Sequence, residues 1–284
     1  MTTPKRSVLI TGCSEGGLGA ALAVAFHIQG LKVYATARNP AKMQLLASLG
    51  IETLTLDVQS AESIAACVAK VPSLDILVNN AGGQYLMPVA DIDIAEAKKI
   101  FDLNVWSYIA VTQAFLPLLL KSPKPMIVNQ TSVVAVLAIP FQSIYNASKA
   151  AIASISDAMR LELQPFGVVV VDLRTGLVRS NIMKNSQETW KPELPKGSIY
   201  EPVRELAQRA INQEGITDDQ NMDSELWAKK TVQDLLKNKP PPQIWRGGSA
   251  WISWFTTLLP FGWTDSYAKK LTGIDKMEEI FQKK

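Results

Sequence analysis

What most constrains this chain is an alternation repeated along it: short runs of Val, Ile and Leu without clean polar spacing, each followed by a longer stretch of helical composition. SVLIT (7–11) leads through a glycine-rich turn into LGAALAVAFHIQG, a helix closed by Gly30. LKVYATAR (31–38), ETLTL (52–56), LDILVN (74–79), MIVNQT (126–131) and VVVVDL (168–173) repeat the strand-like run. Helical composition fills 41–49, 61–71, about 94–120 and 143–163 between them. Runs of this kind mark strands buried on both faces. Joined by helices, they require right-handed crossovers and a parallel sheet covered on each side. The expectation is a doubly wound α/β domain over residues 5 to about 179. Helices near 201–214 and 224–237, then an edge strand at 243–246, complete one domain, with its core over 5–249 and an apolar extension over 250–284.

Composition narrows the function classes. A chain of 284 residues, 47% hydrophobic, has ample material for a core, and a net charge of +3 from scattered residues does not mark a nucleic-acid binder. The lone histidine, His27, excludes a multi-histidine metal site, so no metal is expected. Cys13 and Cys67 cannot build a disulfide framework, which suits a reducing compartment. The run at 7–11 is too brief for a signal-peptide core. AWISWFTTLLPFGW (250–263) falls short of the roughly 18–20 apolar residues that span a bilayer. A cytoplasmic enzyme is the expectation.

TGCSEGGLG (11–19) joins the first strand to the first helix. Gly12 permits a tight turn, while Gly17 and Gly19 allow backbone to approach a pyrophosphate and the helix to pack on the sheet. The free N–H groups of the helix start favour phosphate. The second strand closes with Thr36, Ala37 and Arg38 instead of the acidic residue that would bind the 2′-hydroxyl of NAD. Arg38 can pair with a 2′-phosphate, so NADPH is the expected cofactor.

Further pieces fall at the carboxyl ends of expected strands, where open α/β sheets bind ligands: Asp57 and Val58, NNAG at 79–82, and Thr131 with Ser132. Tyr145 and Lys149, four apart on the next helix, share one face. A phenol is protonated at neutral pH and can donate its proton, and a nearby ammonium lowers its pKa. Tyr145 is thus the candidate general acid for carbonyl reduction, and Ser132 can hydrogen-bond the carbonyl oxygen as charge develops.

In this order and spacing, over about 8–180, the chain resembles the short-chain dehydrogenase/reductase family. The resemblance implies a seven-stranded Rossmann sheet ordered 3-2-1-4-5-6-7 and hydride transfer between a nicotinamide and a carbonyl or alcohol. It makes Tyr145 the proton donor, has Lys149 bind the nicotinamide ribose, and has Asn104, in LNV, hold a water in a proton relay. It sets Gly12, Ser14, Gly17, Leu18 and Gly19 at the pyrophosphate, Asp57 and Val58 at adenine, and Asn80, Ala81 and Gly82 along the cofactor groove. Val178 and Ser180 would cover the nicotinamide. TGCSEGGLG, DLNVWS, YNASKAA and PPPQIWRGGSAW further resemble fungal NADPH-dependent 1-acyldihydroxyacetone-phosphate reductases, a subgroup similar to the tailoring ketoreductases of secondary metabolism.

Two departures from the family stand out. Four residues (Cys13, Ser14, Glu15, Gly16), not three, separate the first two glycines, and Thr175 replaces the usual proline before Gly176. Residues 181–200 are the expected substrate lid, with Trp190 and Tyr200 as candidate walls. The stretch 250–263 is either an apolar flap over the pocket or a subunit interface, or a peripheral contact with a membrane, such as ER or a lipid droplet. Small residues near Lys149 (Ala147, Ser148, Ala150, Ala151, Ala153), with the resemblance, lead to an expected homo-oligomer. The reading is an NADPH-dependent ketoreductase acting on a small-molecule hydrophobic ketone. Its rivals are an alcohol dehydrogenase working oxidatively and a cofactor-binding protein with a non-redox step.

Overall fold

The computed structural model describes residues 5–181, 192–215 and 221–283. Seven parallel strands form one sheet: β1 (Ser7–Ile10), β2 (Lys32–Ala37), β3 (Glu52–Thr55), β4 (Ile76–Asn79), β5 (Met126–Gln130), β6 (Val169–Thr175) and β7 (Gln243–Arg246), in the order β3-β2-β1-β4-β5-β6-β7. The doubly wound architecture expected from the alternation is present, with all of β1, β4 and β5 buried. These strands carry apolar side chains on both faces because helices cover both.

On one face, α1 (Leu18–Ile28), α2 (Gln44–Ser48) and α8 (Ser224–Leu235) pack Leu22, Phe26, Leu46, Trp227 and Leu235 onto Val8, Ile10, Val33 and Val78. On the other, α3 (Ala61–Val68), α5 (Ser107–Leu119) and α6 (Ser143–Leu163) pack Ile64, Val111, Phe115 and Leu119 onto Leu9, Leu77 and Ile127. Each fully buried side chain of this size contributes about 1.5–3 kcal/mol. A polar seam crosses the second layer. The Asn79 amide donates to Asn129 Oδ1 and to Thr112 Oγ1, both at 2.9 Å, and Asn129 donates to Ser156 Oγ at 2.8 Å. The first asparagine of NNAG therefore ties β4 to β5 and α5.

The expected helix over 94–120 is interrupted. Asp93 caps α4 (Ile94–Phe101) by accepting from the Ala95 and Glu96 amides, a π-turn spans Asp102–Trp106, and α5 follows. Widened turns of this kind recur at functional sites, and this one carries Asn104. The sixth strand runs on to Thr175, which pairs in register with Arg246 and accepts from Gln130 Nε2 at 2.7 Å. That is what Thr175 does at the place where the family resemblance leads one to expect proline.

A third cluster, Leu86, Phe141, Leu194, Val203, Ala207, Ile211 and Met277, joins α7 (Arg204–Ile211) to the last helix at one end of the sheet. After β7 come α9 (Ala250–Thr256), α10 (Asp265–Thr272) and α11 (Ile274–Gln282). No helix among the described residues is long and apolar enough to cross a membrane.

Candidate active site

A cleft of about 670 Å³ runs along the carboxyl ends of the strands, across the point where the order reverses between β1 and β4. Its wall includes Gly12, Ser14, Gly17, Leu18, Arg38, Asp57, Val58, Asn80, Ala81, Gly82, Ser132, Tyr145, Lys149, Val178 and Ser180. Two expected site residues, Gly19 and Asn104, are not on that wall. Gly19 acts by close approach, since a Cβ there would sit 2.5 Å from the Gly12 carbonyl oxygen and 2.6 Å from Asn80 Nδ2.

The glycine turn has a definite amide economy. The Cys13 N–H donates to the Thr36 carbonyl at 2.8 Å, Glu15 to Lys42 at 2.8 Å, and Gly17 to Ser14 at 3.0 Å. The Ser14 N–H and those opening α1 at Leu18 and Gly19 are left, among the described residues, to face an anion. Asn80 fixes the turn by donating to the carbonyls of Thr11 (2.8 Å) and Gly12 (3.1 Å). Arg38 is exposed at the rim, with Asn39 and Lys42 beside it on the same wall. Asn39 and Lys42 escaped the sequence reading because they follow the strand instead of closing it. Cys13 is buried and its thiol is pushed up to about 12 by desolvation, which makes it inert.

At the other end, α6 presents Tyr145 and Lys149 on its buried face. Lys149 Nζ donates to the Gln130 carbonyl at 2.9 Å, an oxygen that also accepts from the Tyr108 hydroxyl at 3.1 Å. Burial pushes the Lys149 ammonium down to about 8, and the Asp172 carboxylate opposes that fall. The expected acidification of Tyr145 by Lys149 is not what this arrangement gives. Burial raises the phenol above its ordinary value, and hydrogen bonds from Ser132 and Gln84, in that order, pull the other way. Lys149 Nζ lies 5.9 Å from the Tyr145 ring centroid and is engaged by Gln130.

The Asn104 side chain is engaged at both of its polar atoms. Oδ1 accepts from the Gly83 N–H at 2.9 Å, and Nδ2 donates to the Gly83 carbonyl at 2.9 Å and to Ser148 Oγ at 3.0 Å. It braces the NNAG loop against α6. Ser132 caps a short turn at Val133–Ala135 by accepting from the Val134 N–H at 3.3 Å.

Two further residues were missed by sequence reasoning. Gln84, two places after Gly82, shares the cleft wall with Tyr145 and pulls its phenol downward, and only its position beyond NNAG could have drawn attention to it. Asp172 is buried in β6, held by the Thr131 hydroxyl and by Arg174 Nε at 2.6 Å, and Arg174 in turn lies 4.8 Å over the Trp245 ring. Of the expected lid, Trp190 lies outside the described residues. Tyr200 is not on the cleft wall but stacks edge-on against Phe141 at 5.4 Å. None of the stretch 250–263 is on the cleft wall itself. Its Trp251, Trp254, Phe255, Leu258, Phe261 and Trp263 are exposed instead. No cluster of metal-ligating side chains occurs among the described residues.

A cleft with anion-facing amides at one end and a Ser, Tyr and Lys set at the other defines a dinucleotide-dependent oxidoreductase site. The short chain dehydrogenase model matches residues 6–191, and the chain belongs to that family of oxidoreductases. It is 53% identical over 279 residues to the short-chain dehydrogenase/reductase GME11361 of Pestalotiopsis microspora, covering 98% of each chain. It is 37% identical to the NADPH-dependent 1-acyldihydroxyacetone phosphate reductase of Schizosaccharomyces pombe, covering 90% of each. Among solved structures, a short-chain dehydrogenase from Streptomyces avermitilis superposes with a TM-score of 0.74 at 27% identity, over 98% of each chain.

Proposed function

We propose that the protein is an NADPH-dependent ketoreductase. The observation that carries this reading is the single cleft joining the Arg38 end to Ser132, Tyr145 and Lys149. The residues present fit the cofactor: free amides at Ser14, Leu18 and Gly19 suit a pyrophosphate, and Arg38 with Lys42 suits a 2′-phosphate. The NADPH dependence in the name of the Schizosaccharomyces relative supports the same choice. NADPH bound there supplies a hydride. Tyr145, kept protonated by burial, delivers its proton to the substrate oxygen, and Ser132 hydrogen-bonds that oxygen as it gains charge. Lys149 anchors the ribose and supplies positive charge beside the phenol, while Asn104 is a positioning residue acting through Gly83 and Ser148.

The substrate end mixes an apolar wall (Ile100, Leu103, Val134) with amides (Gln84, Gln142, Gln213). That suits a ketone with a hydrocarbon skeleton and oxygen substituents, such as an acyl ketone phosphate or a polyketide ketone. Purified protein given NADPH and a panel of both kinds is expected to oxidise the cofactor with at least one. NADPH binding without oxidation across the panel would favour the non-redox reading instead. Replacing Arg38 by Asp is expected to reverse the preference toward NADH, because an ion pair becomes a like-charge contact. The ratio of kcat/KM for the two cofactors measures this, and an unchanged ratio removes the 2′-phosphate contact.

The reading extends to a second surface. Residues 247–264 carry no charge, and Phe261, fully exposed at 105%, projects from a Pro-Phe-Gly turn with Trp251 (72%) and Trp263 (69%) beside it. From residue 234 onward, eight Lys or Arg face five Asp or Glu, a net +3 that is the whole of the chain's excess, with Lys237 and Arg246 paired to Asp234. An aromatic tip with basic flanks fits an anionic bilayer or lipid-droplet surface. Sedimentation with phosphatidylserine vesicles is expected to carry the protein down, and the combined variant Trp251→Ser, Phe261→Ser, Trp263→Ser to lose about tenfold or more in binding. No vesicle binding, with the variant instead breaking up an oligomer in light scattering, would make this face a subunit interface and overturn the membrane contact. A homo-oligomer through the outer face of α6, where Ala147, Ala150 and Ala151 lie, is proposed separately. The same light scattering on wild type measures it.

A further inference from the structure

The extra residue in the glycine turn has a partner across the cleft. Gly16 adopts a φ of +73°, and its carbonyl accepts from the Asn181 N–H at 3.0 Å. Asn181 Nδ2 donates to the neighbouring Glu15 carbonyl at 3.2 Å. The approach is close enough that a Cβ on Gly16 would lie 2.1 Å from Asn181 Nδ2. The two segments joined in this way flank one cavity. Ser14, Gly17 and Leu18 wall it on the phosphate side, and Val178, Arg179 and Ser180 wall it on the nicotinamide side. On its far side the glycine turn is tied down as well, through the Glu15 N–H and the Lys42 carbonyl at 2.8 Å.

We infer that Glu15–Gly16 and Asn181 form a strap over the dinucleotide, making Asn181 a positioning residue that retains the cofactor. The inference rests on the cleft being the NADPH site. A turn of the usual length lacks the additional carbonyl, so the four-residue spacing and the asparagine act together. Gly16 is required twice: its left-handed backbone favours glycine, and its missing side chain admits Asn181. A dinucleotide lying between the phosphate turn and the 178–180 segment leaves outward only after these bonds part. The strap therefore acts on the dissociation rate more than on the association rate.

The test is the rate of NADPH release, read by stopped-flow nucleotide fluorescence on the full chain with no ketone present. Asn181→Ala deletes the side-chain bond and is expected to speed release about fivefold to tenfold, the worth of one hydrogen bond. Gly16→Ala strains the turn and displaces Asn181, and is expected to exceed that. Gly16 is exposed and Asn181 only half-buried, so thermal unfolding of Asn181→Ala should match wild type. Release rates equal to wild type in both variants overturn the strap. Failure of the wild-type protein to bind NADPH at all overturns the cofactor reading first, and the two failures are thereby told apart.

Discussion

Tyr145→Phe is expected to lower kcat for ketone-dependent NADPH oxidation by about a thousandfold or more while NADPH still binds. The substitution keeps the ring and removes only the hydroxyl, so the loss reports proton delivery, an effect worth roughly 10²–10⁴-fold. Burial holds the phenol above its ordinary pKa, so Tyr145 keeps its proton throughout the neutral range and can donate it in the direction of reduction. The limit comes from its neighbour. The Lys149 ammonium, pushed down to about 8, is cationic below that pH and loses its proton above it. The rate of reduction is therefore expected to hold through neutrality and fall above about pH 8, as the positive charge beside the developing phenolate disappears. Near-normal turnover by Tyr145→Phe would remove the general-acid assignment, and a rate still rising past pH 9 would remove the role given to Lys149.

The parts of this protein that could be read from its sequence are those where one physical demand fixes residue type. Strands buried on both faces must be largely apolar, so β1 and β4 were plain as runs, and the order of the sheet followed from the family resemblance. Tyr145 and Lys149 were legible because a helix fixes the geometry of residues four apart. Other features depend on contacts between distant segments. The π-turn at Asp102–Trp106 is hidden because its residues suit an ordinary helix, and what holds Asn104 is Gly83 and Ser148. The pKa direction at Tyr145 was misjudged for the same reason. Spacing placed an amine nearby, but not the Gln130 carbonyl that engages it or the burial that dominates. An apolar segment such as 250–263 does not reveal in its composition whether it is covered. Only the fold shows that its aromatics point outward.

The buried ion pair behind the catalytic lysine leads to the second large effect. Asp172→Asn is expected to destabilise the fold by about 3–5 kcal/mol, the usual cost of removing one partner from a buried pair. Asp172 accepts from Thr131 and Arg174, and the Arg174 side chain, only 12% exposed, would be left as an uncompensated cation against Trp245. Burial raises the Asp172 carboxyl above its ordinary range, so the charged pair is itself costly to keep. Replacing both partners, Asp172→Asn with Arg174→Met, is therefore expected to recover most of the loss, since no unpaired charge remains. Urea denaturation of the three variants measures this. The groups facing Asp172 are Arg174 from its own strand, Thr131 from the end of β5 and Lys149 from α6, and Asp172 is the one carboxylate among them. Its removal takes away the charge that holds the Lys149 ammonium up, so the ammonium falls below about 8 and the alkaline fall in reductase rate moves to lower pH. In the double variant that limb should stay displaced, because the Asp172 carboxylate that holds the ammonium up is still absent. A limb that stays in place in both variants, with wild-type stability in Asp172→Asn, would reduce the pair to a passive element of β6.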